Sequence, residues 1–240
     1  MADREWLRNV QGFFDSWGAE ELLDWALHHF DGRIAVASAF GPEGMVLIDI
    51  ASKLRRDVQV FTLDTGLFFP ETYALMAEVE KRYGIKIERV KPTLSVEEQA
   101  AQHGSALWQR SPDQCCYMRK IEPLQRKLST LDAWIAAIRR DQTPDRAQAQ
   151  KVEWDTKFGL VKINPLCDWT NEMVWDYVVS NSVPYNPLHD RGYPSIGCEP
   201  CTRAVQDGED ARSGRWAGFA KTECGLHQRP QNDVLRVLQD

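Results

Sequence analysis

Apolar and polar residues alternate along this 240-residue chain with the periods of helices and buried strands. The first 30 residues carry apolar groups at helical spacing and predict two short helices, one in WLRNVQGFFDSW and one in AEELLDWALHHF. The stretch RIAVASAF that follows is typical of a buried strand, whereas GPEG predicts a loop and MVLIDIASKL a helix. These three pieces predict the beginning of a βαβ unit.

The same alternation of strand and helix patterns continues downstream. Proline near the start of a periodic segment and glycine just after its end are signals for the two ends of a helix. The further predicted elements are a strand in VQVFTLDTG, a helix in PETYALMAEVEKRYG, a strand in IKIERV, helices in SVEEQAAQHG and YMRKIEPLQRKL, a strand in AWIAAI and a Thr-capped helix in TNEMVWDYVVSN. The predicted fold class is therefore α/β, with a mostly parallel sheet covered by helices on both faces.

Ligands of such sheets bind outside the carboxyl ends of the strands. Three stretches follow strands here: SAFGPEG, LDTG and RRDQ. The first could hold a phosphate at a helix N-terminus, but it matches neither the P-loop nor the GxGxxG pattern, so a simple tight turn is an equal alternative. The turn after the second strand and the arginines after the fourth could likewise be ordinary surface features. The candidate residues are Ser38, Gly41, Gly44, Leu63, Asp64, Thr65, Gly66, Arg139 and Arg140.

The chain divides by pattern into three parts. We expect N-terminal helices over residues 1–30, a nucleotide-binding α/β domain over 31–190, and an irregular segment over 191–240 that works with the domain as one unit. The last part is rich in Gly, Pro, Cys and charge, and NDVLRVLQ within it predicts a terminal helix.

Composition narrows the classes of protein. The hydrophobic fraction of 43% suffices for a substantial core, and a net charge of −6 argues against broad nucleic-acid binding. No run of about 18 apolar residues occurs, and the charged start MADREWLRNV is unlike a secretory signal. We expect a cytoplasmic protein without a membrane partner, in which the six cysteines are reduced.

Four cysteines form two pairs, CC at positions 115 and 116 and CEPC at 198 and 201. A redox-active pair is the alternative, but the short helix directly after a strand that it needs is missing, so a metal site is favoured. Zn–S bonds of about 2.3 Å demand closely spaced sulfurs, whereas adjacent residues diverge, so a 4Fe-4S cluster is preferred over zinc. The expected ligands are Cys115, Cys116, Cys198 and Cys201, and Lys120 is expected on the helical face of Cys116.

Cys224 stands alone in KTECGLH, between Lys221 and His227. Most free cysteines are small buried hydrophobes, and Cys167 is interpreted as one of these. Nearby cations can lower the pKa of a thiol by one or more units, so the setting of Cys224 indicates a nucleophile. Upstream, Arg203, Arg212 and Arg215 suggest an oxyanion site, with a solvated charged face as the alternative.

In this order, the motifs CCYMRK, GCEPCTR, GRWAG and KTECGLH closely resemble those of the assimilatory adenylyl-sulfate reductase family. That family is related to the phosphoadenylyl-sulfate reductases and, more distantly, to ATP pyrophosphatases of the adenine nucleotide alpha-hydrolase fold. The resemblance covers nearly the whole chain beyond the N-terminal helices.

The resemblance implies a substrate, a reductant and a cofactor. Adenosine 5'-phosphosulfate would bind with its adenosine near residues 38–44 and 63–66. Attack of Cys224 on the sulfate sulfur would give S-sulfocysteine and AMP, and thioredoxin, or glutaredoxin, would release sulfite. The 4Fe-4S cluster would act electrostatically and structurally. The residues expected at the phosphosulfate are Lys120, Arg139, Arg140, Arg212 and Arg215, with His227 as a further substrate-binding residue.

Three alternatives remain at this point. A phosphoadenylyl-sulfate reductase is the nearest, although retention of both cysteine pairs favours the nucleotide without a 3'-phosphate. A zinc-stabilised adenine-nucleotide binding module would make Cys224 incidental. An ATP-dependent sulfur-transfer enzyme would need a better ATP loop than SAFGPEG. A homo-oligomer is compatible with the sequence.

Overall fold

A computed structural model describes residues 4–219, 221 and 223–227; the predicted terminal helix in NDVLRVLQ lies outside them. The helices are α1 (Arg4–Val10), α2 (Ala19–His29), α3 (Pro42–Leu54), α4 (Pro70–Tyr83), α5 (Val96–His103), α6 (Leu107–Arg110), α7 (Pro112–Cys116), α8 (Glu122–Leu128) and α9 (Asn171–Ser180). The strands are β1 (Ile34–Ala37), β2 (Val60–Leu63), β3 (Ile87–Val90), β4 (Ala133–Ala136), β5 (Val152–Asp155) and β6 (Leu160–Ile163).

The strands form one six-stranded sheet in the order β3-β2-β1-β4-β6-β5. All neighbouring pairs are parallel except β5 and β6, which are antiparallel. The prediction of a mostly parallel sheet is therefore confirmed. Because β1 lies between β2 and β4, the loops after these three strands meet at one edge of the sheet.

Alternate residues of the central strands enter two different cores. Ile34 and Val36 of β1 join the larger apolar cluster, together with residues of α2, α3 and α4. Ala35 faces the other way, into a smaller cluster with Trp134 and with residues of α8. Side chains of a strand point alternately to opposite faces, so burial on both faces requires the unbroken apolar runs seen in the sequence.

The N-terminal helices pack on the larger cluster, to which Leu7 of α1 and Leu22 of α2 contribute buried side chains. Aromatic stacking joins them, since the rings of Trp6 and Trp25 lie 6.2 Å apart and nearly parallel. The predicted pair of short helices is present, with a 3-10 turn over Gln11–Phe14 between them.

Several helix ends follow the local signals. Gly84 ends α4 with φ of 65°, which glycine adopts without steric cost. Ser95 and Glu98 form a capping box at the start of α5, and the hydroxyl of Thr170 accepts from the backbone N–H of Met173 at the start of α9.

Two boundaries differ from the prediction. Helix α3 begins at Pro42, so most of GPEG is its first turn rather than a loop, because proline is favourable at the first helical position. The single helix expected in YMRKIEPLQRKL is a π-helical turn over Tyr117–Ile121 followed by α8, and α7 leads directly into that turn. Single π turns inside helices are frequent at functional sites.

The hairpin of β5 and β6 was absent from the predicted elements. Its strands carry charges, which obscure the apolar alternation. Lys162 and Glu153 occupy cross-strand positions, and Nζ of the lysine lies 3.2 Å from the carboxylate. The pairing lets both side chains be largely buried in the sheet.

The irregular segment after α9 lies against the carboxyl edge of the sheet. Isolated bridges join Phe68 to Cys198 and Thr202 to Arg215, so that the segment contacts the loop after β2 and folds back on itself. Within the part of the chain that is described, no helix combines the length and the apolar character needed to span a membrane.

Candidate active site

A cavity of about 900 Å³ opens at the carboxyl edge of the sheet, between the strand-end loops and the C-terminal segment. Most of the residues predicted from sequence line it. They are Ser38, Gly41, Gly44, Leu63, Lys120, Arg139, Arg212, Arg215, Cys224 and His227. Residues more than 180 positions apart in the chain therefore meet at one site.

The loop after β1 packs tightly against the first turn of α3. A Cβ atom at Gly44 would lie 2.5 Å from Oγ of Ser38, so a larger residue at this position would force the Ser38 side chain to move. The Ser38 hydroxyl also accepts from the backbone N–H of Phe40 at 3.0 Å. Glu43 in the same helical turn forms an ion pair with Arg139 and accepts from Nε2 of Gln142 at 2.9 Å. The N-terminus of α3 therefore has the carboxylate of Glu43 in its own first turn.

Four predicted residues do not line the cavity. Asp64 is buried and accepts from the Tyr73 hydroxyl at 2.8 Å and from the Gly66 N–H at 3.0 Å, which closes the turn after β2. Thr65 lies beneath that turn, with Oγ1 3.3 Å from Sγ of Cys198. Arg140 points elsewhere, since its Nε donates to the carbonyl of Ala149 at 2.7 Å.

All four paired cysteines are free thiols; Cys115, Cys116 and Cys198 are buried and Cys201 is partly so. Burial raises the pKa of Cys115 to about 11 and that of Cys201 to about 12, and it also raises the pKa of Cys116. The mutual repulsion of their thiolates contributes to each shift, which places the four sulfurs within electrostatic reach of one another.

These four thiols fit a metal cluster, whose soft ligands are widely spaced, better than they fit a single metal ion. Among the described residues, no three His, Cys, Asp or Glu side chains converge as they would around one metal ion. Four thiols are the donors that iron–sulfur clusters take, and a cluster spreads its ligands. Arg119, buried beside two of these thiols, donates to the Thr65 carbonyl at 2.6 Å and to Gln99 at 3.0 Å.

Lys120 lies between this cysteine group and the cavity, where its charge faces Cys116, Cys198 and Cys224. Burial alone would lower the pKa of Lys120, but the three thiols outweigh it and raise the pKa above its usual value. The expected proximity of Lys120 to Cys116 is present, since the lysine charge offsets part of the rise that burial causes in the pKa of that thiol. The ammonium group also lies 5.9 Å from the ring centre of Trp216.

Cys224 is partly buried and lines the cavity, but the cations near it differ from those expected. Lys221 forms an ion pair with Asp113. Burial, reinforced by nearby cations, lowers the pKa of His227 far below its usual value, so the imidazole is neutral at pH 7. The expectation that His227 adds positive charge is wrong. The charges that face the thiol are those of Lys120, Lys157 and Arg212.

Sequence reasoning missed four residues of the site. Glu223 is buried and pairs with Arg146 at 2.9 Å, Lys157 donates to the Gly225 carbonyl at 2.6 Å, and the ring of Trp134 stacks on His227 at 5.8 Å. Glu223 is part of the KTECGLH motif, so its position beside Cys224 was an available signal. Trp134 belongs to a buried strand and carries no such signal.

The GRWAG stretch forms the wall opposite the strand ends. The guanidinium of Arg215 stacks on Trp216 with 4.6 Å to the ring centre and donates to the Ile196 carbonyl at 3.2 Å. A Cβ atom at Gly197 would lie 2.2 Å from this guanidinium, so a larger residue there would force the Arg215 side chain to move. Arg203 faces away from the cavity and pairs with Glu209 at 2.8 Å.

Among the described residues that line the cavity, Lys120 and Arg215 are cations without an ion pair to a carboxylate; both lie near the Trp216 ring and share the cavity with the Cys224 thiol. This arrangement suits an anionic substrate that undergoes nucleophilic attack. The fold defines an α/β protein of the adenine nucleotide alpha-hydrolase-like class.

Comparison with known proteins narrows this class. Residues 33–204 match the phosphoadenosine phosphosulfate reductase domain family. The chain is 51% identical over 211 residues to adenosine 5'-phosphosulfate reductase of Oceanobacillus iheyensis, covering 88% of each chain. It is 50% identical over 212 residues to adenosine 5'-phosphosulfate reductase 1 of Bacillus subtilis, covering 88% of this chain and 91% of the relative. The chain belongs to this reductase family.

Solved structures agree with the assignment. The crystal structure of phosphoadenylyl-sulfate reductase from Candida auris matches with a TM-score of 0.73 and 32% identity, over 85% of this chain and 98% of that one. A Candida glabrata FMN adenylyltransferase matches with a TM-score of 0.57 at 12% identity, over 92% of this chain and 81% of that one, which shows the shared fold alone.

Proposed function

We propose that the chain reduces adenosine 5'-phosphosulfate to sulfite and AMP, with Cys224 as the nucleophile. The observation that carries the proposal is a partly buried thiol in the same cavity as Lys120 and Arg215. The names of the relatives that are about 50% identical support the choice of nucleotide.

In the first step the Cys224 thiolate attacks the sulfate sulfur of the substrate. An S–S bond forms, the bond from that sulfur to the bridging oxygen breaks, and AMP leaves as a phosphate monoester. Lys120 and Arg215 are the cations that would balance the sulfate and phosphate charges. The product on the enzyme is S-sulfocysteine.

In the second step a dithiol such as reduced thioredoxin, or glutaredoxin, attacks the Cys224 sulfur and releases sulfite. The resulting mixed disulfide is resolved by the second thiol of the partner, so two electrons come from the dithiol. Such a reductant implies a reducing compartment, and we place the reaction in the cytoplasm. Cys115, Cys116, Cys198 and Cys201 would hold a 4Fe-4S cluster, which supplies local charge and rigidity when bound.

Peptide mass spectrometry tests the proposal. The protein is incubated with adenosine 5'-phosphosulfate without reductant, under conditions that preserve S-sulfonates. A single sulfonate on the Cys224 peptide, removed by reduced thioredoxin, is the expected result. Nucleotide binding without any adduct on Cys224 would overturn the nucleophile assignment and favour a binding module.

A phosphoadenylyl-sulfate reductase is the second candidate, because the Candida auris reductase of that name is 32% identical over 85% of the chain. Comparing kcat/KM for the two nucleotides separates the candidates. A higher value for the 3'-phosphorylated nucleotide would replace the proposed substrate while leaving the role of Cys224 intact.

A further inference from the structure

The carboxylate of Glu223, next to Cys224, is almost completely buried, with only 1% of its side chain exposed. Burying an unpaired carboxylate costs several kcal/mol or more, so its partners matter. Arg146 lies 2.9 Å away and also donates from Nη2 at 3.1 Å, Arg212 lies 3.4 Å away, and the Thr143 hydroxyl donates at 3.2 Å. We call these four residues the Glu223 network.

The other side of Cys224 is held by a different part of the fold. Lys157, in the turn between β5 and β6, donates to the Gly225 carbonyl at 2.6 Å. Leu226 packs against the smaller apolar cluster, and His227 stacks on Trp134 of β4. Among these contacts, those of the Glu223 network are both charged and buried. Glu223 itself directly precedes Cys224 in the chain.

The same network divides the cations of the cavity into two sets. Glu223 balances Arg146 and Arg212, whereas no described carboxylate pairs with Lys120 or Arg215. The buried Glu223 carboxylate therefore fixes the Cys224 thiol in the same cavity as Lys120 and Arg215. Holding a nucleophile in a defined geometry lowers the entropic part of the barrier for its attack.

We propose that Glu223 is a positioning residue for Cys224: its network holds the thiol in the cavity for attack on the substrate. The inference rests on the proposed function. The two half-reactions consequently respond differently when the network is weakened. Attack by Cys224 becomes slower, whereas release of sulfite stays unchanged, because the dithiol supplies the attacking thiol of that step.

Glu223→Gln keeps the shape of the side chain and removes its charge. Single-turnover formation of the Cys224 sulfonate is expected to slow by on the order of 10-fold to 100-fold, since hydrogen bonds to a charged group are weakened. KM is expected to stay unchanged or to fall, because Arg146 and Arg212 lose their counter-charge. In the substrate-free protein, alkylation of Cys224 by iodoacetamide should become at least a few-fold faster.

The matched control is Glu209→Gln in the same C-terminal segment. Glu209 also pairs with an arginine, Arg203, but this pair is exposed on the surface and neither residue lines the cavity. Its substitution should leave both rates unchanged. Thr143→Val and Arg146→Lys weaken the network from its other side, and they replace the Gln variant if that variant does not fold.

Unchanged sulfonation and alkylation rates in a folded network variant would overturn the positioning role. A drop in the rate of sulfite release equal to that in sulfonation would overturn it too, because general damage to the site slows both steps. Failure of the proposed function is a separate result, namely no sulfonate on Cys224 of the unaltered protein. The alkylation rates still test the network in that case.

Discussion

The sheet and the C-terminal segment are held in place by different forces. In β1 and β4 nearly every side chain is apolar and buried, and the two apolar clusters run through both faces. In the segment after residue 190, position depends on ion pairs, backbone bridges and cation–ring contacts, as at Glu223 and Arg215. Apolar burial is non-directional and gives stability, whereas charged contacts are directional and orient individual groups.

Damage to the sheet and damage to the C-terminal segment should therefore be visible in different measurements. Substitutions in the sheet should lower the free energy of unfolding, and substitutions around the segment should lower rates in a protein that remains folded. Four changes test this division.

Replacing the tail thiol should have the largest effect. Cys224→Ser is expected to reduce sulfite formation to background while nucleotide binding persists, because a hydroxyl is a far weaker nucleophile than a thiolate at neutral pH. Sulfite assays and equilibrium binding of AMP measure the two properties. Cys167→Ala is the control, since this fully buried cysteine lies outside the cavity and burial raises its pKa to about 11. Turnover retained by the serine variant would sink the proposed nucleophile.

An empty space created in the core of the sheet should have the next largest effect. Ile135→Ala removes a fully buried side chain of β4 and is expected to lower the free energy of unfolding by about 2–5 kcal/mol. Urea titration measures this loss, and the turnover per folded molecule should stay within about twofold. A large fall in turnover at full folding would contradict the division between scaffold and segment.

Removing the charge of Lys120 should lower the rate without unfolding the protein. Lys120→Met is expected to reduce kcat by on the order of 10-fold to 100-fold, because the cation balances charge where it develops. Lys127→Met is a close control, since its ammonium lies 5.8 Å from the Phe61 ring, as that of Lys120 does from Trp216, but outside the cavity. Equal rates for both variants would remove Lys120 from the mechanism. Iron and sulfide analysis shows whether any bound cluster is retained.

The pH dependence of stability should show the smallest effect. His227 has a folded-state pKa well below its usual 6.5, first through burial and then through nearby cations. The unfolded state therefore binds the proton as pH falls below about 6.5, and stability is lost in that direction. Between pH 7 and 5 the unaltered protein should lose about 1–2 kcal/mol more than His227→Gln. Parallel urea titrations at both pH values measure the difference, and identical losses would mean that the imidazole is exposed.

Most of the parallel sheet was predictable because its pattern is local. Continuous apolar runs indicated β1, β2 and β4, and capping signals indicated where α4, α5 and α9 begin or end. The hairpin of β5 and β6 was missed because Lys162 and Glu153 neutralise each other only across the folded pair. The early start of α3 was missed because Pro42 was interpreted as part of a loop.

Several residues singled out from the sequence share one cavity, whereas their interaction partners were less predictable. Cys224, Lys120, Arg212 and Arg215 line the same cavity, while the roles predicted for them stay predictions. The roles of charge were not predictable, since adjacency in sequence suggested Lys221 and His227 as the cations near the thiol. The ion pair of Lys221 with Asp113 joins residues 108 positions apart, and no sequence pattern reveals such a contact.

The sequence by itself determined the class of fold, the edge of the sheet at which the cavity opens, and the motifs that contain the lone thiol and the two cysteine pairs. These depend on side-chain type and short-range periodicity. The tertiary structure alone decided which cations face Cys224, that His227 is neutral, and that Glu223 is buried among Arg146, Arg212 and Thr143. The physical reason is that charge and burial depend on distances between residues that only the folded chain brings together.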